Sequence, residues 1–268
     1  MVKSANNLKN MMAATIPRQH GAWFSLFACF MLGLIVAYQV NFKSFLLLIS
    51  VVAGFLLRYS LSETIKAPRK FSFFVIPILF YFVILAVAGL PLLFYYNLII
   101  LIPLGVLPAV SVLSYFYFEK IGKANSLGSE IMGMLGIAAV SPASYYAASG
   151  KFTAAAAGIW IVSALFFLCS VFIVRYLVRG RLWHKKMSEY IKSISSPFAF
   201  CLFSVVIVYL LGRFTNILPR YAFISLVPSL FILVGLSIAK KRSSIRRIGL
   251  ISTANVIIFV ILSAVSFL

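Results

Sequence analysis

Four places in this chain set ionisable side chains against apolar sequence. The first is Pro17-Arg18-Gln19-His20-Gly21-Ala22-Trp23, where His20 can titrate near neutral pH or, beside Arg18, donate to a phosphate. The second is Glu130, between Gly128 and Gly133; a carboxylate at the start of an apolar stretch calls for a polar cavity or a cation. The third and fourth are Arg58-Tyr59, followed by Glu63, and Arg175-Tyr176, followed by Arg179. Arg175 and Arg179 lie four apart, hence on one helical face, and converging guanidiniums make a fork for phosphate or carboxylate. Each has a plainer explanation as well. An interfacial histidine, a glutamate drawn to a helix N-terminus and arginines that fix topology would carry the same residue types. The site reading makes His20 and Glu130 the catalytic residues, His20 also meeting the head group and Glu130 orienting a cation or accepting a proton. It assigns ligand binding to Arg18, Arg58, Tyr59, Glu63, Arg175, Tyr176 and Arg179.

The elements that must hold these residues are membrane helices. Of 268 residues, 63% are hydrophobic and only 10% charged, and the mean hydropathy is +1.08. A soluble domain carries about a quarter charged residues, and a water-soluble fold could not hide so much apolar surface. The pattern predicts an all-α polytopic bundle of nine spans, near 20–38, 43–58, 72–90, 95–118, 128–148, 153–175, 197–212, 220–239 and 248–267. The second and seventh are short for a crossing of about 20 residues, with Lys43, Arg58 and Arg213 able to snorkel at their ends. All but four of the 24 basic residues (Lys43, Lys151, Arg213 and Arg220 excepted) then fall on one side. This predicts the N-terminus inside and the C-terminus outside, in the inner (cytoplasmic) membrane of a cell. Met1 to Gln19 reads as a cytoplasmic tail rather than a signal peptide. The formal charge of +20 is accounted for by anionic lipid, with no nucleic acid implied.

No linker divides the chain, so a single integral membrane domain is expected, with a final helix at 248–267. Phe55-Leu56-Leu57-Arg58-Tyr59 and Phe172-Ile173-Val174-Arg175-Tyr176 close spans four helices apart. They suggest parallel pseudo-repeat halves, about 20–118 and 128–239. If the halves repeat, His20 or an arginine is the partner expected for Glu130. Gly133 and Gly136 would let the fifth span pack closely on a neighbour. Pro77, Pro103, Pro108, Pro142 and Pro228 lie within spans, where neighbouring helices can satisfy the freed carbonyls. Cys29, Cys169 and Cys201 sit in apolar runs, with no spacing for a disulfide or a metal.

Gly-rich phosphate loops and histidines paired at metal or haem spacing are missing, and the chain has no aspartate. No cofactor is assigned. Pro17-Arg18-Gln19-His20-Gly21-Ala22-Trp23 resembles the Pro-x-x-His-Gly-Ala-Trp signature of YwiC-like membrane proteins. Ser129-Glu130 and Val171-Phe172-Ile173-Val174-Arg175 are similar to that family's pattern, so the resemblance runs from about residue 16 to 180. More distantly, nine helices with polar loops after spans two and six resemble the UbiA prenyltransferase superfamily. That resemblance implies a central cavity open to lipid under a polar cytoplasmic cap. It departs from UbiA enzymes where their aspartate-rich motifs would fall, after Arg58 and Arg175. Glu63 alone stands in the first of these loops, so arginines would have to neutralise a diphosphate directly.

The expectation is a cytoplasmic polar pocket for an anionic, lipid-like or isoprenoid ligand, with membrane lipid as partner and prenyl or lipid transfer as its enzymatic form. The rivals are a small permease using Glu130 and His20 for proton coupling, and a non-catalytic membrane partner of a respiratory or biogenesis complex.

Overall fold

The computed structural model describes residues 20–66, 71–179, 187–238 and 245–268. Among these there is no strand. The helices are α1 (His20–Ala37), α2 (Phe42–Lys66), α3 (Phe71–Phe94), α4 (Leu101–Lys120), α5 (Leu127–Ala138), α6 (Val140–Ser149), α7 (Ala154–Arg179), α8 (Met187–Phe214), α9 (Val227–Ile238) and α10 (Ile245–Phe267). A 3-10 turn, Ala222–Leu226, leads into α9. Counting α5 and α6 as one stretch, seven helices among the described residues are long and apolar enough to cross a membrane. Two shorter apolar helices, Gly21–Ala37 and Ala222–Gly235, occupy the first and eighth expected spans.

Two expected loops are helix instead. α2 runs on to Lys66, so Tyr59 and Glu63 lie on its last two turns rather than beyond its end. α8 begins at Met187, about three turns before the expected seventh span. Neither segment contains a glycine or proline that would stop a helix early. In α2, Leu61 and Ile65 continue the apolar period past Arg58. The sixth span likewise extends through Arg179.

α5 and α6 are one path broken at Ala139. Pro142 has no amide hydrogen for the Ala138 carbonyl four residues back, so the helix must yield there. The Ser141 hydroxyl donates to that carbonyl at 2.8 Å, and Ser144 donates to the Ser141 carbonyl at 3.0 Å. Both serines are fully buried. Elsewhere Ser25, Ser50, Ser60, Thr64, Ser170 and Ser204 donate to carbonyls four residues earlier. In a membrane helix this satisfies a hydroxyl that has no water to meet.

The core lies where α1, α6, α7 and α10 meet, around Cys29, Leu32, Ala147, Ile159, Phe166 and Phe259. The rings of Phe166 and Phe259 stack with centroids 3.9 Å apart. Backbone contact seals the α1–α6 seam. A Cβ placed on Gly33 would fall on Ser144 Oγ and the Ser141 carbonyl oxygen, and 2.8 Å from the Tyr145 amide nitrogen. At the end of that seam, Asn41 caps α2 by accepting from the Ser44 amide at 3.0 Å, and its Nδ2 donates to the Ala148 carbonyl at 2.7 Å. One side-chain amide thus closes a helix start and a helix finish.

Candidate functional site

Glu130 lies in the first turn of α5, whose start is capped by Ser126 accepting from the Ser129 amide at 3.2 Å. The helix dipole favours a carboxylate at this position. Arg175, one turn from the end of α7, supplies the charge. Its Nε donates to Glu130 Oε2 at 2.6 Å and its Nη2 to Oε1 at 3.1 Å, forming a parallel fork. Nη2 also donates to the Asn125 carbonyl. The guanidinium therefore ties the loop before α5, the first turn of α5 and the end of α7 together. Such two-point pairing fixes orientation as well as charge.

Arg58 approaches α5 from α2, one turn further along. Its Nη2 lies 3.9 Å from where a Cβ on Gly133 would be. Its guanidinium carbon sits 4.6 Å from the centroid of the Tyr115 ring on α4, within the range of cation–π attraction. Its Nε is buried and has no hydrogen-bond partner. A desolvated guanidinium donor without an acceptor is costly, and the Tyr115 ring balances only part of that cost. Gly128, Gly133 and Gly136 set how close the neighbouring helices can come: Phe118 faces the first, Arg58 the second, and the third presses on Ser111, whose Cβ would be 2.7 Å from a Cβ at Gly136.

A second polar group adjoins Arg58. Ser62 donates to Glu119 Oε2 at 3.2 Å, and its hydroxyl oxygen lies 3.4 Å from the Tyr115 hydroxyl. Lys66 pairs with Glu63 at 2.9 Å and stands 4.0 Å from Glu119. Glu119 is close enough to act electrostatically on Arg58. Three cations (Arg58, Lys66 and Arg175) and three carboxylates (Glu63, Glu119 and Glu130) thus gather at one end of the bundle.

The structure pairs Glu130 with Arg175, places Arg58 one turn further along α5 and pairs Glu63 with Lys66. Tyr176 points elsewhere, 8% exposed and packed with Cys169, Ile173, Cys201 and Leu233 between α7, α8 and α9. Tyr59 is half-buried on α2. Arg18 and the side chains of His20 and Arg179 lie outside the described residues. Ser62, Tyr115 and Glu119 are the members that sequence reasoning missed. The available signal was a hydroxyl, a phenol and a carboxylate near the polar ends of two neighbouring spans. Among the described residues, no three His, Cys, Asp or Glu side chains converge as metal ligands.

These apolar helices define a multi-pass helical membrane protein, with a cluster of partly exposed ion pairs at one end. The model of the family described as YwiC-like protein matches residues 16–145, and over that segment the chain is similar to the YwiC-like family. The match covers Arg18, His20, Arg58 and Glu130 and ends before Arg175. No curated protein and no solved structure matches the chain.

Proposed function

We propose that the ionic end of this protein is a cytoplasmic head-group pocket that takes an anionic, lipid-like or isoprenoid ligand, and that prenyl or lipid transfer is the reaction it serves. The proposal carries nine crossings, with the two short apolar helices counted as spans, and the basic loops facing the cytoplasm of the inner membrane. It also keeps the two parallel halves, in which Arg58 and Arg175 occupy equivalent depths, and a distant UbiA-like character.

The carrying observation is the buried, unpartnered Nε of Arg58. The ring of Tyr115 holds this guanidinium in place, and Gly133 leaves it room. A phosphate or carboxylate oxygen is the acceptor such a donor selects. Arg175 has a different part from the one its sequence position suggests. Its fork is filled by Glu130, so it positions α5, while Arg18, His20 and Arg179 are the further head-group contacts in this proposal. Glu130, engaged in that pair, offers no free carboxylate for proton coupling, which weighs against the permease.

The test is mass spectrometry of lipids retained by the purified protein, wild type against Arg58→Gln. A charge-assisted hydrogen bond is worth ~1.5–3 kcal/mol, so the variant should hold the anionic ligand roughly 10- to 100-fold less tightly. Equal retention by the two proteins would defeat the proposal.

A further inference from the structure

The end of the bundle remote from this cluster holds an open cleft of about 450 Å³, between the end of α8, the segment 215–220, the start of α7 and the end of α10. Its size falls within the ~300–1,000 Å³ of small-molecule sites. Arg213 and Arg220 both line it, together with Thr215, Asn216 and Phe267. They are two of only four basic residues expected on this side of the membrane, and both are exposed.

The local fold sets them at one mouth. Thr215 Oγ1 donates to the Leu211 carbonyl at 2.6 Å and accepts from the Ile217 amide at 3.3 Å, which turns the chain back on α8. A Cβ on Gly212 would stand 2.7 Å from the Pro219 carbonyl oxygen and 3.3 Å from Arg220 Cα. The backbone of Arg220 is therefore pressed against the residue before Arg213, and only glycine permits that approach.

Among the described side chains, no glutamate stands beside the pair. Glu63, Glu119 and Glu130 belong to the cluster at the other end of the bundle, and the remaining glutamate, Glu189, lies on the first turn of α8. At 1.5 Å per residue it is ~36 Å of helix away from Arg213. We infer that this cleft is a second anion site, taking a phosphate-bearing group through Arg213 and Arg220. The cleft exceeds the needs of a bare phosphate, and Phe267 gives it an apolar wall. Both features fit the glycerophosphate head of a lipid in the leaflet away from the basic loops.

The test uses the full-length protein in a non-ionic detergent, loaded with phosphatidylglycerol bearing a photoreactive head group, and maps crosslinked peptides by mass spectrometry. Adducts on residues 212–220 are expected. R213Q/R220Q should reduce them about tenfold or more, the loss of one good charge-assisted contact. Lys151→Gln, a charge removed from the same end but outside the cleft, should leave them unchanged. Excess inorganic phosphate suppresses the adducts if free phosphate is the occupant; persistence of the adducts identifies the lipid. The phosphate site stands under either result. Absence of adducts on 212–220, or an undiminished yield in R213Q/R220Q, overturns it. The single variants R213Q and R220Q, each on an exposed side chain, give the same readout should the double variant fail to fold.

Discussion

Replacing Glu130 by glutamine keeps the shape of the side chain and removes the charge that Arg175 binds. The fork contributes two charge-assisted hydrogen bonds, at 2.6 and 3.1 Å. Fully buried, breaking such a pair would cost ~3–5 kcal/mol, because the remaining ion is stranded. Fully exposed, it would cost ~0.2–1 kcal/mol. The side chains of Arg175 and Glu130 are 17% and 39% exposed, so water can reach the carboxylate and partly compensate its loss. About 1–2 kcal/mol is the result, which at ~2–4 °C per kcal/mol corresponds to a fall in Tm of roughly 2–8 °C. A thermal-melting cycle over E130Q, R175Q and E130Q/R175Q in detergent isolates the pair. The expected coupling is about 1 kcal/mol, with the double variant melting close to the worse single one. Arg175→Lys should fall between wild type and R175Q, since an ammonium keeps the charge but loses the fork and its reach to the Asn125 carbonyl. Losses that add to within ~0.3 kcal/mol would mean that the two side chains do not act on each other, and the account of the site would collapse with them.

Gly33→Ala should sharply lower the yield of folded protein, by ~1–3 kcal/mol of overpacking or more, because the facing atoms include backbone. Gly235→Ala, where nothing lies within 4 Å, should be neutral or slightly stabilising by expression and melting temperature. Maleimide labelling of single cysteines placed in a variant lacking Cys29, Cys169 and Cys201 should reach Lys66→Cys only after permeabilising cells, and Lys151→Cys in intact cells. The reverse pattern would invert the topology.

Much of the architecture was legible because lipid imposes one rule on every span. Backbone groups must pair within the helix, so apolar length alone announces the segments. Helix ends were less legible. Arg58 looked like a boundary because charge usually marks the interface, yet α2 continues two turns to Lys66, where Glu63 and Glu119 supply the counter-charges. Glu130 needed a cation, and an arginine was among the partners expected. That it is Arg175, 45 residues away, follows from how α7 packs on α5, which spacing does not encode. The Tyr115 shelf beneath Arg58 is hidden for the same reason. A phenol near a span end is ordinary in sequence, and only the contact between α2 and α4 gives it a role.

The seam at Gly33 bears on how the chain is assembled. Asn41 and Ala148, which lock its end, are 107 positions apart. At a synthesis rate of about 5–20 residues per second, roughly 5–20 s elapse between them. Throughout that interval α1 lacks the α6 backbone that fills the notch at Gly33. A nascent chain stopped before α6 would leave that notch open, so α1 reaches its final packing only after the chain has been made through Ala148.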